Sequence, residues 1–162
     1  METIIKQLFD FLSVELTVIL TAALPVIELR GAIPVGISLG LSPIHSLILS
    51  FIGSMIPVPI ILFTIRPIFN YLKKTKMFKN IVHRLTKKSI NKSGNIKKYG
   101  VWGLILFVAI PLPGTGVWSG SLAAALINMR FKLAFPAIFI GNLIAGILIM
   151  TLSNGLINVI GG

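Results

Sequence analysis

The hydrophobic and polar positions of this chain fall into apolar runs of two lengths. A bilayer core asks for about 20 helical residues at about 1.5 Å each. Residues 44–65 and 133–152 meet that length, whereas residues 16–24, 32–41, 101–110 and 117–127 reach about half of it. The short runs come in pairs, and each pair flanks a break. The first break is Leu24-Pro25-Val26-Ile27-Glu28-Leu29-Arg30-Gly31-Ala32-Ile33-Pro34, and the second is Ile110-Pro111-Leu112-Pro113-Gly114-Thr115-Gly116-Val117-Trp118. Both halves read as short run, break, short run, turn, long span, with turns at Ser42-Pro43 and Asn128-Met129-Arg130-Phe131-Lys132. Spacing agrees: Pro25 to Gly53 is 28 residues and Pro111 to Gly141 is 30.

Two half-length helices around a broken tip predict a re-entrant hairpin, which turns near the midplane and leaves on the side it entered. Irregular backbone at that depth is tolerated only inside protein or beside water. The competing reading of the first half is one kinked span over residues 16–41. In the long span that follows, Pro57 and Pro59 predict a kink, since each lacks an amide donor and disturbs a carbonyl one turn back. That span is expected to exit at Arg66. A hairpin contributes no crossing and a span contributes one, so the second half lies upside down relative to the first. Inverted repeats that bring broken helices together near the midplane are a transporter design. The expected fold is an all-α integral membrane protein: two inverted repeats, each a re-entrant helical hairpin plus a transmembrane helix, joined by a basic cytoplasmic amphipathic helix. Repeat 1 covers residues 13–66, the linker 67–99 and repeat 2 100–158, within a single membrane domain of residues 1–162. Ahead of repeat 1, Ile4, Ile5, Leu8, Phe9 and Leu12 oppose Lys6, Gln7 and Asp10, which predicts an amphipathic interfacial helix over 3–12. Its alternative is an extension of the next helix.

Composition agrees with a polytopic membrane protein: 55% of residues are hydrophobic and 12% charged, against about 25% charged in soluble domains, with a mean hydropathy of +0.95. The net charge of +11 suggests nucleic acid until it is mapped. Arg66, Lys73, Lys74, Lys76, Lys79, Arg84, Lys87, Lys88, Lys92, Lys97 and Lys98 carry all of the excess, with no acid among them. Elsewhere Lys6, Arg30, Arg130 and Lys132 balance Glu2, Asp10, Glu15 and Glu28. A basic loop between apolar segments belongs in the cytoplasm, with both termini outside, and no nucleic-acid partner is expected. Phe78, Ile81, Val82 and Leu85 fall on one face of a helix there, suited to anionic lipid head groups, and Asn91-Lys92-Ser93-Gly94-Asn95 reads as a turn. The absence of cysteine excludes disulfides, thiolate metal sites and a cysteine nucleophile. The first fifteen residues hold one lysine and three acids, unlike the basic start of a signal peptide.

A charge deep in hydrocarbon persists where it is paired, wetted or functional, so Glu28 and Arg30 are the first residues to explain. A half-helix that begins after a break points its amides and positive dipole end at the membrane centre, which favours an anion. Gly31, Gly114 and Gly116 leave backbone open to a ligand, and Arg30 suits bidentate binding of phosphate or carboxylate. The candidate substrate-binding residues are therefore Arg30, Gly31, Gly114, Thr115, Gly116, Trp118 and Asn142, with Ser119 beside them and Glu28 as the proton carrier. Pro25, Pro34, Pro111 and Pro113 are the structural breaks. The plainer alternatives are that Glu28 and Arg30 only pair with each other, that Trp118 packs in the core or anchors at the interface, and that Asn142 bonds a neighbouring helix. Gly36/Gly40 and Gly116/Gly120 make two G-x-x-x-G pairs suited to close packing or to a homodimer. His45 and His83 read as isolated interfacial and linker residues. Neither a metal nor a cofactor is expected, and one carboxylate without a catalytic partner set does not make an enzyme.

The segment Pro25-x-x-Glu28-x-Arg30-Gly31-Ala32-Ile33-Pro34, with Pro111-x-Pro113-Gly114-Thr115-Gly116-x-Trp118, resembles the signature of the bacterial and archaeal small multidrug export protein family, and the likeness covers nearly the whole chain. That family is similar in plan to the DedA superfamily, which has paired re-entrant hairpins in inverted repeats. The resemblance implies a transporter of the cytoplasmic membrane. The DedA likeness implies proton-coupled movement of polyprenyl phosphate or phospholipid, and the family name implies export of cationic compounds. A non-transporting assembly factor is the remaining class; it would tolerate apolar residues at 28 and 30.

Overall fold

No proline or glycine interrupts residues 2–23, and they fold as one helix, α1 (Glu2–Ala23). The separate interfacial helix expected over 3–12 is thereby corrected: its polar face gives way to an apolar one with no helix breaker between them. Within α1, Ser13–Ala23 is a short apolar stretch. The computed structural model describes residues 2–74, 99–112 and 114–160; the linker helix expected around Phe78–Leu85, the turn at Asn91–Asn95, His83 and Pro113 lie outside them.

α1 stops short of Pro25, and α2 (Glu28–Ser38) folds back along it, placing Gly36 against Val18. Residues 16–41 are therefore a hairpin and not one kinked rod. α2 also begins before the apolar run expected at residue 32 and takes Glu28 and Arg30 into its first turn. It closes with the Leu41 amide donating to the Gly36 carbonyl and the Gly40 amide to that of Ile37, both at 3.0 Å, with Gly40 at φ +93°. This is the left-handed helix stop that glycine favours. Ser42 then caps α3 (Pro43–Met55), its hydroxyl accepting from the His45 amide at 3.3 Å. The helix is interrupted at Ile56, where Pro57 supplies no amide and the Ile56 amide turns to the Gly53 carbonyl at 3.3 Å. α4 (Pro57–Lys74) continues past Pro67.

The second half uses the same pieces. α5 (Val101–Ala109) and α6 (Val117–Leu126) form a hairpin in which Gly120 rests on Val108 and Leu104. α6 ends as α2 does: the Met129 amide donates to Ala124 at 2.9 Å and the Asn128 amide to Ala125 at 3.2 Å, with Asn128 at φ +55°. α7 (Phe131–Ile160) begins inside the stretch that reads as a polar turn, because the Arg130 carbonyl accepts from the amides of both Leu133 and Ala134 at 2.9 Å. Among the described residues, the segments long and apolar enough to cross a membrane are Pro43–Ile65 and Phe131–Leu156.

The chain divides into two compact units, Met1–Ile56 with Leu143–Gly162, and Pro57–Asn142. Each holds one hairpin, the first part of one long apolar segment and the last part of the other. In the first unit, Val18, Ala22, Ala32, Leu41 and Leu49 form the core, and Gly146 of α7 rests on Leu47 and Leu29. In the second, α4 packs on α6, and Phe63 stacks on Phe131 with centroids 4.6 Å apart. One packing device occurs in both. Gly53 backs onto the Ile19 carbonyl and the Ala22 Cβ; Gly141 backs onto the Ile105 carbonyl and the Val108 Cβ. A buried polar residue follows each glycine, Ser54 in one case and Asn142 in the other.

The distribution of side chains on α3 is the reverse of a soluble helix. Ser46, Ser50 and Ser54 are buried, while Ile44, Ile48 and Ile52 face outward with half or more of their surface exposed. α7 likewise buries Ala134, Ala137, Gly141, Asn142 and Ala145 and exposes Leu143, Ile144, Ile147 and Leu148. Small residues inside and large apolar ones outside is the arrangement lipid permits, since lipid tails are as apolar as leucine. The described residues thus form an all-helical membrane protein.

Candidate functional site

The Leu24–Ile27 turn owes its shape to Pro25, and its end is fixed by the Glu28 amide donating to the Leu24 carbonyl at 3.0 Å. That geometry leaves Glu28 at φ +51°, in the left-handed region where a side chain with a β-carbon is disfavoured. The second hairpin's return helix is also entered through a positive φ, at its capping residue Gly116 (φ +125°), one position earlier relative to the helix than Glu28 in α2. At the positive-φ entrance, then, one tip has a buried glutamate, 6% exposed, and the other a glycine. Strain of this kind is kept at sites that use it. Glu28→Gly is expected to be more stable than Glu28→Ala by about 1 kcal/mol, inverting the usual helix order; thermal unfolding of the two variants in detergent checks it.

Arg30, half-buried, lies one helical step beyond Leu29 and within electrostatic reach of Glu28. Gly31 follows, and a β-carbon there would run into Ile27. Pro34 lies within α2 and has no amide to donate to the Arg30 carbonyl, so the polar character of the first turn extends to its backbone. Neither α2 nor α6 has a side-chain cap at its start. α2 carries Glu28 in its first turn, so the carboxylate itself complements the positive dipole end; α6 carries no acid there.

In the second unit the tip is built on Thr115. Its hydroxyl lies 2.7 Å from the Ile110 carbonyl and 2.8 Å from that of Leu112, donating to one or the other, and accepts from the Leu112 amide at 3.3 Å. Gly114, at φ +82°, and Gly116 make the reversals on either side. Trp118 and Ser119 are half-buried in the first turn of α6, and Asn142 is buried. Below the tip a cavity of about 390 Å³ is lined by Tyr99, Gly103, Leu106, Phe107, Ile110, Leu112 and Thr115. Its walls are apolar and aromatic, with hydroxyls from Tyr99 and Thr115 and no ionisable carboxylate. The size is that of a small-molecule pocket.

The described sequence-predicted residues divide between the two units, Pro25, Glu28, Arg30, Gly31 and Pro34 in the first and Pro111, Gly114, Thr115, Gly116, Trp118 and Asn142 in the second, where the α7 residue Asn142 stands apart in sequence from the tip. Sequence reasoning missed two features of the first unit. His45 is not isolated: its Nε2 lies 2.9 Å from Glu15 Oε1. Ser46, Ser50 and Ser54 form a buried hydroxyl row with the i, i+4 spacing of one helix face, a signal present in the sequence but submerged in its hydropathy.

No curated protein and no solved structure matches the chain. A family model described as "Putative small multi-drug export protein" matches residues 28–148, from Glu28 at the head of α2 through the Pro43–Ile65 segment and the second tip to Leu148 of α7, with α1 and the Pro25 turn outside the match. With most of its 162 residues covered, the chain belongs to the small multi-drug export protein family.

Proposed function

We propose that this protein exports amphiphilic cationic compounds across the cytoplasmic membrane in exchange for protons, with Glu28 as the site that both ions use in turn. The observation that carries this is the buried carboxylate of Glu28 at a left-handed helix entrance, where the second tip enters its own helix through a glycine. A charge kept at such cost in an apolar setting has a task. Arg30 balances Glu28 at rest; a proton or an organic cation takes its place during the cycle. The family name points the same way. On this reading the protein is a transporter and not an enzyme, with the basic linker cytoplasmic.

The architecture is read as two inverted repeats of re-entrant hairpins. The recurrent helix stop at Gly40 and Asn128 and the recurrent glycine packing at Gly53 and Gly141 support a repeat, and one crossing per half supplies the inversion. A second reading, DedA-like movement of an anionic lipid carrier such as polyprenyl phosphate or phospholipid, is favoured by the acid-free start of α6 and by Arg30. In the first tip that reading meets an obstacle, because Glu28 already occupies the anion-favouring helix end.

Proteoliposomes holding the purified protein separate the two. Imposing a pH gradient should drive ethidium movement, while fluorescent polyprenyl phosphate should stay in its leaflet. Flip of the lipid without ethidium flux would replace the first reading with the second, and the absence of both would favour a non-transporting assembly factor.

A further inference from the structure

The Ser50 hydroxyl is wholly buried and has no hydrogen-bond partner among the described residues. Buried polar groups are otherwise almost always satisfied, so such a hydroxyl calls for an explanation, and a water beside it is one. Its position gives it a context. Ser46, Ser50 and Ser54 lie on one face of α3, each four residues from the next, which puts neighbouring β-carbons about 5–6 Å apart, the span of one bridging water. Beside the outer end of the row, on the neighbouring face of α3, stands His45, near the start of the Pro43–Ile65 apolar segment, paired with Glu15 at 2.9 Å and with its side chain 37% exposed. At the inner end the register of the hairpin brings in Glu28. The Ser46 hydroxyl donates to the Ile33 carbonyl at 2.8 Å, and α2 runs back along α1 while Ala22 of α1 meets Gly53. Stepping back from Ile33 to the start of α2 is therefore stepping forward from Ser46 toward Gly53, so Glu28 lies at the level of Ser50 and Ser54.

We propose that the Glu15–His45 pair and the Ser50 hydroxyl form a proton intake route along α3 that feeds Glu28. It rests on the reading of Glu28 as the proton site. His45 takes a proton from the medium while held by Glu15. The proton passes inward through water between the hydroxyls of Ser46 and Ser50, each oxygen accepting one proton and releasing its own, and arrives on a Glu28 carboxylate oxygen; nothing is oxidised or reduced. Of the elements packed on α3, α1 brings Glu15 and, farther toward its start, Asp10, α2 brings Glu28 and Arg30, and α7 from Leu143 onward brings no ionisable side chain.

The test needs no substrate. In proteoliposomes given an acid jump on the outside, the infrared carbonyl band of protonated Glu28, identified by its loss in Glu28→Gln, reports arrival of the proton. The fast phase, from molecules with His45 outward, is expected to slow by about tenfold or more in both His45→Ala and Ser50→Ala and to recover in Ser50→Thr, which keeps the hydroxyl. Ser50→Ala should unfold at the same temperature as wild type or higher, since it removes an unsatisfied group. Wild-type kinetics in His45→Ala and Ser50→Ala would overturn the route while leaving Glu28 as the proton site. Absence of the Glu28 band in wild type would overturn both. Loss of ethidium transport with the kinetic pattern intact would overturn the export reading alone and leave the route standing.

Discussion

Glu28→Gln is expected to abolish ethidium movement driven by a pH gradient, with the protein still folded and inserted. The amide keeps the shape of the side chain and can still occupy the left-handed position at the head of α2. It removes the charge that a proton and an organic cation would share, and with it the means of exchanging one for the other. Losses of about 10²-fold or more accompany removal of a proton-transferring group. Glu28→Asp, which keeps the charge on a shorter side chain, should retain part of the flux. Initial rates at matched and opposed pH on the two sides separate the outcomes. The wild type should respond to the gradient and Glu28→Gln should not. If Glu28→Gln matches the wild-type rate, Glu28 and Arg30 only lock the tip together, and export by this route is excluded. Arg30→Ala divides the alternatives further: a counter-charge should be dispensable for binding a cation, whereas an anion-binding guanidinium should not.

The break residues were the most legible part of the sequence. α5 and α6 begin and end within a residue of the runs read as 101–110 and 117–127, because Pro111, Gly114 and Gly116 disrupt helix geometry wherever they stand. Boundaries set by charge were less legible. Glu28 and Arg30 both read as part of a break, yet only Glu28 is: its left-handed φ of +51° completes the turn that Pro25 begins, while Arg30 is helical, since a charged side chain does not prevent backbone hydrogen bonding. α1 looked like two segments because its polar face ends near Ser13, but a change of face is not a change of backbone. α4 runs on past Pro67 for a related reason: proline disturbs one turn and need not end a helix whose other turns are sound. The Glu15–His45 pair was out of reach, as thirty positions of sequence separate partners that only the parallel packing of α1 and α3 brings together. The serine row was within reach of periodicity but not of mean hydropathy, in which three serines vanish among isoleucines and leucines.

Gly53→Ala and Gly141→Ala should each destabilise the protein by about 3 kcal/mol or more, beyond the usual cost of overpacking. A β-carbon at Gly141 would sit 2.7 Å from the Ile105 carbonyl oxygen and 2.8 Å from the Val108 Cβ. At Gly53 it would meet the Ile19 carbonyl, with Ile19 Cα at 2.9 Å and Ala22 Cβ at 3.0 Å. These neighbours are backbone or first side-chain atoms, so no rotamer change makes room and the helices themselves must part. The close approach also brings the glycine Cα hydrogens onto a carbonyl, a weak attraction that recurs at helix contacts and is forfeited when they separate. Gly155 supplies the control: a β-carbon there meets nothing within 4 Å, so Gly155→Ala should be neutral or stabilising through helix propensity. Thermal unfolding in detergent and the folded fraction by size exclusion measure all three. Comparable losses at 53 and 141 would join two positions 88 residues apart as equivalents, because each sets the distance between a long helix and the first helix of its hairpin. A tolerated alanine at one of them would break that equivalence and remove the packing argument for an internal repeat.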